Sequence, residues 1–149
     1  MSVNDITTPG QTDTIAFELD LRHPPAKVWR ALTDPVLLSE WLLPVTGLKL
    51  ELGAAFTFKT DPFPGWDGTV NCRVLEAEVE KKLSYAWVVG DAMELDTVVT
   101  FTLTPTDTGT RLVMVQSGFK PAQKRNFGGA KYGWNMMGGK LVDLLDRID

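Results

Sequence analysis

From Thr14 to Ser117 the sequence keeps returning to an alternation of period two, and this pattern restricts the fold more than any other feature. The stretch "TIAFELDL" sets Ile15, Phe17, Leu19 and Leu21 on one face and Glu18 and Asp20 on the other. Such alternation marks a half-buried strand. It recurs at Leu48, Leu50 and Leu52, at Phe56 and Phe58, and at Val70, Cys72 and Val74. Leu83, Tyr85, Trp87 and Val89 repeat it, as do Val99, Phe101 and Leu103, then Leu112, Met114 and Gln116. The register breaks between Glu76 and Lys82. Short turn-rich links such as "GDAME" and "TDTGT" join the runs, so about seven strands form an antiparallel meander. One face of that sheet is buried and the other wet.

Two segments interrupt the alternation with helical spacing. In "HPPAKVWRALTDP", Pro24 and Pro25 suit a helix start, and Val28, Trp29 and Leu32 recur at helical intervals. Asp34-Pro35 ends that helix, and "VLLSEWLLP" makes a second short one. The segment from Tyr132 to Asp149 reads as a longer, amphipathic helix that covers the buried face of the sheet. On a helical wheel Trp134, Met137, Leu141, Leu145 and Ile148 share one side, with Lys140, Asp143, Asp146 and Arg147 opposite. Gly138 falls in the centre of the apolar stripe and Gly139 on its polar side. A glycine there has two readings. It lets the helix approach a strand or a bulky core residue such as Trp87, or it leaves room for a ligand.

At 149 residues the chain can bury a core without a disulfide or a metal. Residues 1–12 are small and polar and read as a flexible arm, leaving 13–149 as a single domain. A formal charge of -4 with scattered basic residues argues against nucleic acid. A single cysteine excludes an internal disulfide and a cysteine-rich zinc site. No run reaches the roughly 18 apolar residues of a membrane span, and the expected location is cytoplasmic.

The order of strand, two short helices, long antiparallel sheet and closing helix is the helix-grip arrangement, an α+β fold. "HPPAKVWRALTDPVLLSEWLLP" resembles the opening of the family named for the activator of heat-shock-protein-90 ATPase, within the START-like (SRPBCC) superfamily. "ELGAAFTF", "WDGTVNCRVLEAEVEKKLSYAW", "TRLVMVQSGF" and "YGW" continue the likeness in order. Gly53-Ala54 stands where members often carry paired glycines, and Gln116 lies near a position where they often carry histidine. The resemblance implies a deep, largely apolar cavity between the curved sheet and the closing helix. It does not imply a shared activity.

The faces deduced above place Phe56, Phe58, Val70, Cys72, Tyr85, Trp87, Val99, Phe101, Met114 and Gln116 on the concave side of the sheet. Trp134, Met137, Gly138 and Leu141 form the roof. These residues either fill a core or line a binding site. Tyr85 and Gln116 either satisfy each other or orient a ligand. Trp66, with Phe63 on a proline- and glycine-rich loop, is a plug or a lip at the entrance. Trp41 packs inside the helical insert or reaches the pocket. Cys72 is predicted buried and inert, and His23 lacks a second histidine at metal spacing. No phosphate loop, nucleophile elbow or metal motif occurs.

The leading expectation is therefore non-catalytic binding of a small apolar or aromatic molecule, with no cofactor or metal, by a monomer or homodimer. The first alternative is a co-chaperone-like module that docks a chaperone or another protein. The second is a cyclase- or dehydratase-like enzyme using Tyr85 as proton donor.

Overall fold

The computed structural model describes residues 3–62, 67–90 and 95–149. Its elements run β1 (Val3–Asp5), β2 (Thr14–Leu21), α1 (Pro25–Thr33), α2 (Pro35–Trp41), β3 (Val45–Thr46), β4 (Ala55–Lys59), β5 (Thr69–Glu78), β6 (Lys82–Val89), β7 (Leu95–Pro105) and β8 (Thr110–Ser117). A short 3-10 turn, Pro121–Gln123, leads into α3 (Lys124–Arg147). The strands form one antiparallel sheet in the order β1-β2-β8-β7-β6-β5-β4-β3. The sheet curves around α3 in the helix-grip fold.

Local chemistry sets the helical insert. Pro25 opens α1, whose buried side is Val28, Trp29, Ala31 and Leu32. Asp34 ends α1 and caps α2, its Oδ1 accepting the Val36 N–H at 2.9 Å. The Trp41 indole donates to the Ala31 carbonyl at 2.9 Å, so this tryptophan locks the two helices together. It also meets Phe101 edge-on at 6.3 Å.

Two expected elements differ. The run Leu48, Leu50, Leu52 is not a strand. The edge of β4 is taken by Val45, opposite Phe58, and Thr46, opposite Thr57. Gly47, at φ +81°, then turns the chain away, so the leucines find no ladder and Leu52 is 75% exposed. The broken register after β5 is a bulge between Val74 and Glu76, which swings Leu75 outward.

The presumed arm also carries structure. Val3, Asn4 and Asp5 pair with Leu19, Glu18 and Phe17. Lys131 Nζ on α3 lies 3.0 Å from Asp5 Oδ2 and ties the strand down from above. This strand answers the question of Gly138. A Cβ built there would stand 3.0 and 3.1 Å from the two Val3 γ-carbons and 3.7 Å from Leu19 Cδ2. The glycine admits the close approach of β1, and no void lies beneath it. The reading of Gly138 as a ligand residue is corrected accordingly.

The closing helix begins at Lys124, two turns before Tyr132. Its C-terminal half is the well-packed half, with Leu141, Leu144 and Leu145 almost wholly buried. Its N-terminal half carries Gly128, Gly129 and Gly133, where an added Cβ would meet no other described element within 4 Å.

Candidate functional site

A cavity of about 490 Å³ lies under that N-terminal half. Its roof is one face of α3: Arg125, Asn126, Gly129, Ala130, Gly133, Trp134 and Met137. Spacings of three and four residues put such positions on one side of a helix. Its floor is Val70 of β5, Trp87 and Val89 of β6, Leu95 of β7 and Gln116 of β8. Leu43, after α2, and Thr60, after β4, close the side. Apart from its chain neighbours and the helix's own backbone, no described residue comes within 4 Å of a Cβ built at Gly129 or Gly133, so the missing side chains leave open volume. Glycine costs a helix interior about 0.8–1 kcal/mol relative to alanine. At these two positions no close approach accounts for it.

The polar content of the floor is a single hydrogen-bonded chain. The Trp134 indole donates to Gln116 Oε1 at 2.7 Å. An indole N–H can only donate, which fixes the amide with its carbonyl toward α3. Gln116 Nε2 donates to Thr97 Oγ1 at 3.0 Å, and the Thr97 hydroxyl donates to the Trp87 carbonyl at 2.8 Å. The chain thus runs from α3 through β8 and β7 to β6, with Gln116 only 2% exposed. Its second Nε2–H has no further partner among the described residues. The Trp87 and Trp134 rings stand 5.7 Å apart and form an aromatic corner of the cavity.

Of the sequence-predicted site, Val70, Trp87, Gln116, Trp134 and Met137 meet at this cavity. Phe56, Phe58, Cys72, Tyr85, Val99, Phe101, Met114 and Leu141 are buried behind it in the core. There the rings of Phe56 and Tyr85 pack at 5.1 Å, and those of Tyr85 and Phe101 at 6.1 Å. Gln116 pairs with Trp134 and Thr97 rather than with Tyr85. Trp66 lies outside the described residues, as does Phe63.

Sequence reasoning missed Leu43, Thr60, Val89, Leu95, Arg125, Asn126, Gly129, Ala130 and Gly133. Five of these sit in the first turns of α3, where glycine-rich "KRNFGGAKYG" masks the helix. The signal that could have found them is the three- and four-residue spacing of Asn126, Gly129, Ala130, Gly133 and Trp134, continuous with Met137.

The buried ionisable groups are poor chemical agents. Burial pushes the Cys72 thiol up to about 12, and its Sγ faces the Val70 carbonyl at 3.9 Å. Burial, and secondarily the neighbouring Cys72 thiol, raises the Tyr85 phenol well above its ordinary range. Tyr85 is therefore a weaker acid than a free phenol, and it does not reach the cavity wall. That removes the geometric basis for the proton-donor role. His23 Nε2 lies 3.0 Å from Asp146 Oδ1 and its Nδ1 3.1 Å from Lys27 Nζ, a clasp between the start of α1 and the end of α3. Among the described residues no cluster of three or more histidine, cysteine or carboxylate side chains could hold a metal ion. Glu76 and Glu78 pair with Lys82 and Lys81 at the surface.

A curved antiparallel sheet gripping a long helix over an apolar cavity defines a START-like domain. The chain belongs to the family described as Activator of Hsp90 ATPase homolog 1-like protein, whose model matches residues 22–146. Protein MLL2253 from Mesorhizobium loti is similar to it at 48% identity and TM-score 0.84, over 91% of this chain and 98% of that one. CV1439 from Chromobacterium violaceum is 27% identical at TM-score 0.72, over 91% and 99% of the two chains. CalU16 from Micromonospora echinospora shares the fold, at 20% identity and TM-score 0.73, over 98% and 85%. No curated protein matches the sequence. Among the described residues no helix is long and apolar enough to cross a membrane.

Proposed function

We propose that this protein binds a small apolar or aromatic molecule in the cavity between the N-terminal half of α3 and strands β5 to β8. The observation that carries this reading is the open volume under Gly129 and Gly133. A helix that gives up stability twice to keep a space empty is under a constraint other than packing. Affinity comes from removing apolar surface from water, about 25 cal/mol per Å². The spare Gln116 N–H offers one oriented contact to an acceptor oxygen at the floor. The size falls within the ~300–1,000 Å³ usual for small-molecule sites.

Native mass spectrometry of the purified chain, with and without added N-phenyl-1-naphthylamine, tests this reading. A one-to-one complex with the probe, or with a co-purified small molecule that the probe displaces, is the expected result. Absence of any complex, together with no saturable probe fluorescence, contradicts it.

The co-chaperone reading rests on the description of the family. A change in the chaperone's ATPase rate on adding this protein would support it, and an unchanged rate would dismiss it.

A further inference from the structure

We propose that the cavity's occupant is an amphipathic acid, with its anionic head at the mouth on Arg125 and its apolar body beneath Gly129 and Gly133. This rests on the binding role proposed above. The formal charge of the chain is -4, with 19 acidic residues, yet among the described residues the cavity wall carries no carboxylate. Its one ionisable side chain there is Arg125. Arg125 is exposed and has no ion-pair partner among the described residues.

The surroundings reinforce that charge. The first turn of α3 has no acidic residue and no side-chain cap, and Lys124 adds a second cation beside Arg125. A 24-residue helix presents its positive dipole end at the same place. Cations at a helix N-terminus are unfavourable there unless an anion answers them. Independently, Gln116 lines the cavity floor with a second Nε2–H that has no partner among the described residues and can donate to an acceptor oxygen, while Thr60 and Asn126 on the wall can donate as well as accept. An acid cannot enter the apolar floor without losing its hydration. At the mouth it keeps water and gains the planar guanidinium, whose fork matches an oxyanion.

The test uses two probes of one scaffold: N-phenyl-1-naphthylamine and its sulfonate, 1-anilinonaphthalene-8-sulfonate. Fluorescence titrations at low and high salt, on the wild type and Arg125→Gln, give the ratio of the two affinities. The wild type should favour the sulfonate by roughly fivefold at low salt, the scale of one exposed ion pair. That preference should shrink with salt and fall to about one in Arg125→Gln. Wild type favouring the uncharged probe, or a sulfonate preference that survives Arg125→Gln, overturns the proposal while leaving the binding role standing. If neither probe binds, the binding role fails and this proposal falls with it.

Discussion

The Trp134 indole N–H donates to Gln116 Oε1 at 2.7 Å, and this bond joins the roof of the cavity to its floor. Both side chains are buried, Gln116 2% and Trp134 6% exposed, so water is a poor substitute for a lost partner. Gln116→Leu leaves the indole donor without a partner and should cost about 1–3 kcal/mol. Urea denaturation measures it. Trp134→Phe should cost less in the Gln116→Leu background than in the wild type, because the donor it removes has already lost its acceptor.

Glycines along α3 should separate by position. Gly133→Ala restores helix propensity where the added methyl meets nothing, and should stabilise by about 0.8–1 kcal/mol. Gly138→Ala adds the same propensity but drives its methyl onto the Val3 γ-carbons. Its gain should be smaller, and amide exchange at β1 should quicken as the short strand shifts. Equal gains at both sites would mean that β1 does not pack as described. Nothing in the structure explains Gly128 or Gly139.

Alkaline pH should weaken the fold. Cys72 titrates at about 12 in the folded chain against an ordinary value of 9.0, and Tyr85 is raised in the same direction. Between those values the unfolded chain has released protons that the folded chain retains, so stability falls as pH rises. The contribution is intact below about pH 9 and lost as the pH climbs toward 12. Cys72→Val should flatten the upper part of a stability–pH curve recorded from pH 7 to 11. In the folded protein the thiol should resist a disulfide reagent at pH 8 and react on denaturation.

The alternation of Ile15 to Leu21 showed the sheet directly, because a wet face favours polar residues such as Glu18 and Asp20 between the buried ones. The same logic failed at Leu48 to Leu52, since alternation records a local preference and the pairing edge was already held by Val45 and Thr46. On α3 the apolar stripe after Tyr132 was legible, whereas the turns from Lys124 were not. Glycine and asparagine carry little hydrophobic signal, and the residues that keep a cavity open are those that leave no mark in a hydrophobic pattern. Distinguishing Gly138 from Gly133 required knowing what faces each one. The first meets Val3, a residue more than a hundred positions away, and the second meets open space.

The most direct test of the cavity is to fill it from the roof. Gly133→Leu places an apolar side chain in the space under α3, and N-phenyl-1-naphthylamine binding is then compared with the wild type by fluorescence, with Tm recorded for both. The account predicts saturable binding to the wild type, binding at least about tenfold weaker in the variant, and a Tm no lower than that of the wild type. Equal affinity in the two proteins, or a variant whose Tm collapses as though leucine had been forced into a packed core, would contradict it.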